Sequence, residues 1–212
     1  MIKIGLFPLN MVMFPESSYP LHIFEERYKA LIQECYSNGM EFGINLISSN
    51  GINQIGCSVM VTEIIKKYSD GKLDIVIQGL SRFRINKLIE GDKPYFTAEV
   101  DMFADDDYGI DDVLLEETAL LFNKIAKSIK SMRINPIDPK KLDVLNPSFL
   151  IAQKAGLNNS QKQSLLEIRS ENVRLKSLSN HLRKMQPFLM KAEMISNIVK
   201  NDGYINTNSK KS

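Results

Sequence analysis

The sequence is poor in the residues that staple a fold or carry out chemistry. Its 212 residues hold two cysteines, two histidines and no tryptophan. Cys35 and Cys57 provide no disulfide framework and lack metal-site spacing, so both read as plain thiols. His22 and His181 stand alone, without a cysteine or carboxylate at ligand spacing, so no metal site is expected. No run of 18 apolar residues occurs, which excludes a membrane-spanning helix. A secretory leader is not expected either. Lys3 is the only early charge, Pro8, Asn10 and Pro15 break the first apolar run, and no small-residue cleavage site follows. The expectation is a soluble, cytoplasmic chain with no membrane partner.

Nucleotide and nucleophile chemistry are missing as well. A phosphate-cradling loop needs G-x-x-x-x-G-K-[ST], whose backbone amides wrap the phosphates. The one Gly-Lys pair, Gly71-Lys72, runs into Leu73 instead. Ser69 and Lys72 match S-x-x-K, but they flank Asp70-Gly71 in an expected turn, not on a helix. Glu25 and Glu26 read as the wet face of a helix rather than as an acid–base pair. No catalytic residue and no cofactor is expected.

What is present is an ordinary globular composition, 43% hydrophobic and 25% charged. The length suffices for a real core without staples. The net charge of +2 hides an asymmetry: residues 1–139 carry 14 Lys+Arg against 20 Asp+Glu, and residues 140–212 carry 13 against 5. The basic residues of the second part are interleaved with leucines, so they read as solvated faces of packed helices.

Two periodicities divide the chain. In the first part, "EFGINLIS", "IGCSVMVTEIIKKY", "KLDIVIQGL", "SRFRINKLIE" and "YFTAEVDMF" are β-prone runs between Gly, Asp and Asn signals. Asp70-Gly71 is a strong hairpin signal. Phe24, Tyr28, Leu31 and Ile32 form one helical stripe, stopped at Asn38-Gly39. Short strands in series predict a small barrel or sandwich. "ADDDYGIDD" (104–112) reads as an acidic linker. Beyond it the period is helical: Val113–Met132, a helix opened by Asn146 and Pro147, one with Ser160 and Gln163 in capping-box spacing, and a long one over about Glu171–Asn201. The expected domains are a β part at 1–104, a linker at 105–112, a helical part at 113–201 and a disordered tail at 202–212.

The opening stretch, "LFPLNMVMFPESSYPLHIFEERYKALIQEC", carries a family likeness. With "EFGINLIS", "GLSRFRI", "YFTAEV" and the Leu-rich helices from Leu145 onward, it resembles the LON domain, the N-terminal substrate-binding domain of ATP-dependent Lon proteases. The likeness covers most of residues 4–200. One departure is Glu16, where the family usually has glycine after the proline, which bears on the local turn. The resemblance implies an α+β fold, a PUA-like β pseudobarrel followed by an α-helical bundle. "LFPLNMVMF" would be a strand pair bent at its prolines. Lon's ATPase and Ser–Lys protease domains are not expected in this chain. The implied function is a non-catalytic module that recognises unfolded or specific polypeptides, linked to protein quality control, with a protease or chaperone as further candidate partner.

Binding of unfolded chains needs exposed, adaptable apolar surface, and methionine suits it. The candidates are Met11, Met13, Phe14 and Tyr19. The alternative is an RNA-binding PUA-like protein, with Lys66, Lys67, Arg82, Arg84 and Lys87 as a basic stripe and Tyr68 for stacking. The acidic balance of the β part argues against it.

Overall fold

Among the described residues, alternation in the first hundred becomes seven strands, and the helical period beyond them becomes four helices. The computed structural model describes residues 2–107, 109–128, 135–141 and 144–202. The strands are β1 (Ile2–Leu9), β2 (Ser18–Ile23), β3 (Phe42–Ser48), β4 (Gly51–Ile52), β5 (Ile55–Lys67), β6 (Leu73–Ile89) and β7 (Phe96–Met102). Helix α1 (Glu26–Asn38) sits between β2 and β3. Helices α2 (Asp112–Ser128), α3 (Pro147–Lys154), α4 (Asn159–Leu166) and α5 (Glu171–Asp202) follow the sheet. Residues 129–132 of the expected first long helix, and 203–212 of the expected tail, lie outside the described residues.

The sheet closes on itself. Its order is β1-β7-β6-β5-β3-β4, and β1 also pairs parallel with β3. Among the described strands, β2 attaches to β6 alone. The β5–β6 hairpin turns where Asp70-Gly71 predicts it, with Gly71 at φ 81°, a left-handed value that glycine adopts without steric cost. One face of β1, β3, β5 and β6 forms a core with Phe7, Ile44, Val59, Ile75 and Ile77, and α1 covers it through Tyr28, Leu31 and Ile32.

Several local expectations need correction. β1 and β2 do not pair with each other, so the opening stretch is not a strand pair: β1 bonds β3 and β7, and β2 bonds β6. Phe24 precedes α1 and is exposed, so it leaves the helical stripe. The capping box lies at Asn158 and Gln161, two residues before the expected pair, because Asn158 holds the extended backbone that an N-cap needs. Asn146 does precede α3, with Pro147 in its first turn, but its side chain does not cap that helix. Its Oδ1 instead accepts a hydrogen bond from Arg174 Nη2 at 2.6 Å.

A second core joins the two parts. Val12, Phe14, Leu46, Ile55 and Phe103 from the β part pack with Phe122, Phe149, Leu175 and Leu182 from the helices. Beside it lies a buried ionic network. Asp105 Oδ1 and Oδ2 accept from Arg174 Nη1 and Nη2 at 2.8 and 2.5 Å, and Asp105 also pairs with Arg82. Arg174, 0% exposed, further pairs with Glu171 at 2.6 Å, and Glu171 accepts from the Ser148 backbone N–H at 2.7 Å. Arg82 Nη1 donates to the carbonyls of Leu166 and Ile168 at 2.8 and 2.7 Å. Two guanidiniums thus face two carboxylates across the junction. The expectation of a plain acidic linker at 105–112 is therefore corrected at its first residue, whose side chain is buried.

Candidate polypeptide-binding surface

The residues after β1 divide by burial. Met13 is 2% exposed and packs in the core that α1 covers. Phe14 is equally buried, in the core shared with the helices, where it stacks on Phe149 at 5.1 Å. Neither offers surface to a partner, and both leave the candidate set. A buried apolar side chain and an exposed one look alike in a short irregular segment, since no period marks the wet side. Met11 is half-buried, and Tyr19 is 48% exposed on β2.

β2 adds to that surface. It pairs with β6 alone, so among the described strands its outer edge has no neighbour. Pro20 removes one donor from the strand, which blunts an open edge against unwanted pairing. Phe24, exposed just past β2, lies 6.1 Å from the His22 ring. His22 Nδ1 and Asp74 Oδ1 are 2.6 Å apart across the β2–β6 pair, and Tyr68 Oη donates to Asp74 Oδ2 at 2.7 Å. The two hydrogen bonds, His22's first and then Tyr68's, hold the Asp74 carboxyl below the usual range. His22 therefore ties β2 to the sheet, a role invisible before the register was known. Phe24 is the surface residue that sequence reasoning placed on the wrong element.

The basic stripe does not form. Arg82 is buried in the ionic network. Lys66 faces Asp74 at one end of the β5–β6 ladder, and Arg84 faces Ile55 at the other. Eleven residue steps along β5 separate these rungs, roughly 35 Å of extended strand. Across β6–β7, Arg84 faces Asp101 and Lys87 faces Glu99. Lys67 is exposed at the hairpin end beside Lys66, whose Nζ lies over Tyr68 at 4.5 Å. The five residues are thus dispersed, and three of them face a carboxylate residue on a neighbouring strand.

Glu16 has a geometric place. Its φ of 61° is the only positive value of a non-glycine residue among the described ones. The turn is clamped on both sides, because Glu16 N–H donates to Gly79 O at 2.9 Å and Gly79 N–H donates to Ser17 O at 2.8 Å. A glycine would adopt this backbone without strain. Three or more His, Cys, Asp or Glu side chains grouped for a metal ion do not occur among the described residues.

The mixed α+β fold, a sheet followed by helices, is that of solved Lon N-terminal domains. The N-terminal domain of a Mycobacterium avium complex Lon protease superposes with a TM-score of 0.69 at 18% identity, over 86% of this chain and 98% of that one. A Lon N-terminal domain protein from Xanthomonas campestris gives 0.63 at 24% identity, over 84% and 97%. These likenesses show the fold. The sequence shows the family: the model of the ATP-dependent protease La (LON) substrate-binding domain matches residues 3–184, and the chain belongs to that family. Among full-length relatives, a Lon protease of Anaeromyxobacter dehalogenans is 25% identical over 93% of this chain. Lon protease 2 of Myxococcus xanthus is 26% identical over 93%. The chain spans about a quarter of the length of each. No described helix is long and apolar enough to cross a membrane.

Proposed function

We propose that this chain is a non-catalytic binding module that holds unfolded polypeptide on the surface around Met11, Tyr19 and Phe24. The observation that carries the reading is the exposed aromatic pair, Tyr19 and Phe24, on and beside a strand with one open edge. Membership of the substrate-binding family supports it. An extended client can bond the open backbone edge while its side chains meet the aromatics, a mode that tolerates many sequences. The same reading holds the ring to be PUA-like, the helices to be a bundle, and the role to be cytoplasmic protein quality control beside a protease or chaperone.

Burial of a few hundred Å² at roughly 25 cal/mol per Å² gives several kcal/mol before ordering costs. Binding should be weak, on the order of micromolar. It should persist at high salt, because little of it is Coulombic. The test is binding of a denatured model protein, and of an RNA, at low and high salt. Tyr19→Ser with Phe24→Ser should weaken client binding about tenfold while leaving the melting temperature within a few degrees. Unchanged client binding in that variant refutes the surface. Binding of RNA alone, abolished by salt, refutes the reading itself.

A further inference from the structure

A cleft of about 220 Å³ opens at the junction of the strand ring and the helices. Its floor includes Arg82, Asp105 and Glu171 from the ionic network. Those charges, with Arg174, cancel in number, two against two. The walls are partly apolar: Leu80, Met102 and Leu145 line the cleft, and the last two are 58% and 76% exposed. Glu16 and Asp107 complete its ionisable lining. Neither has a cation partner among the described residues. Burial, and then the charge of Glu171, raises the Glu16 carboxyl above the usual range, and the Leu145 backbone pulls it the other way. Arg84 lies over the Phe103 ring at 5.0 Å, but it does not line the cleft, and it faces Asp101 across the strands.

We propose that this cleft takes a basic side chain of a bound polypeptide, lysine or arginine, with Glu16 as its counter-charge. The inference rests on the polypeptide-binding reading and adds a preference to it. The chemistry fits the occupant at both ends. A long basic side chain lays its methylenes along apolar wall and keeps its head at a carboxylate. Met102 and Leu145 supply the wall, and Glu16 supplies an otherwise uncompensated charge. Glu16 follows Pro15 in the short segment between buried Phe14 and exposed Tyr19, so the cleft adjoins the segment that leads into the proposed client surface.

The experiment compares two fluorescent peptides that differ at one position, arginine against its neutral isostere citrulline, in an apolar sequence. Anisotropy titration of the full chain should show the arginine peptide binding about fivefold tighter. Glu16→Gln keeps the side-chain length and removes the charge, and it should erase the difference while leaving the citrulline peptide unaffected. Asp107→Asn, on the same cleft, should reduce the difference and serves if Glu16→Gln folds poorly by thermal melting. A wild-type chain that binds both peptides equally overturns the cleft assignment and spares the polypeptide reading. Failure to bind either peptide overturns both. A preference for arginine that survives both substitutions shows that the counter-charge lies elsewhere and refutes the role of Glu16.

Discussion

Replacing Asp105 by asparagine should strongly destabilise the protein. Asp105 is the shared partner of Arg82 and Arg174, whose side chains are 5% and 0% exposed. Arg174 keeps Glu171 at 2.6 Å when the charge is lost. Arg82 keeps two backbone carbonyls but no carboxylate. The change therefore leaves one net positive charge buried without its counter-ion. Breaking one partner of a buried ion pair costs about 3–5 kcal/mol, because the remaining charge stays desolvated. For a chain of this size that is a fall in Tm of roughly 10 °C. The chain has no tryptophan, so the assay is urea and thermal unfolding followed by far-ultraviolet circular dichroism. Asp106→Asn is the control, since its partner Arg169 is exposed and a surface pair is worth about 1 kcal/mol or less. Acid should act on the same group. Burial alone would raise the Asp105 carboxyl, but hydrogen bonding and charge from Arg174, then Arg82, hold it below the usual range. Its contribution is thus fully present above the unfolded carboxylate value, about 4, and is lost as pH falls through the lower folded value. Wild type should lose stability faster than Asp105→Asn below about pH 4. A variant within about 1 kcal/mol of wild type at neutral pH would refute the argument that this network is a buried charge balance.

Two further outcomes are expected. Glu16→Gly relieves a left-handed backbone and should raise stability by about 1 kcal/mol, read as a Tm rise of a few degrees; a fall would show that the Glu16 side chain outweighs the backbone strain. Burial pushes the Cys35 thiol up to about 11 and the Cys57 thiol up to about 12, so neither should react with a disulfide reagent at pH 7.5 until the chain unfolds; fast labelling of the native protein would contradict the packing around them.

Much of the architecture was legible because it is local. Alternation marks a strand wherever one face is buried, Asp70-Gly71 marks a hairpin because glycine takes the left-handed turn, and proline and glycine bound the helices. The family likeness was legible in the same short motifs, and even the Glu16 departure fell where the turn is strained. Burial along an irregular segment was not legible. Met11, Met13, Phe14 and Tyr19 are similar residues in one stretch, and only packing separates the two buried ones from the exposed tyrosine. Charge was the least legible. Arg82 and Arg84 alternate on a strand and looked equivalent, yet one is buried against Asp105 and the other faces Asp101. Asp105 looked like part of a solvated acidic run and is instead bonded to an arginine 69 residues away. Sequence pattern reports which residues prefer the inside of an element. Which charges are taken out of water depends on how the strand ring meets the helices, and that contact exists only in three dimensions.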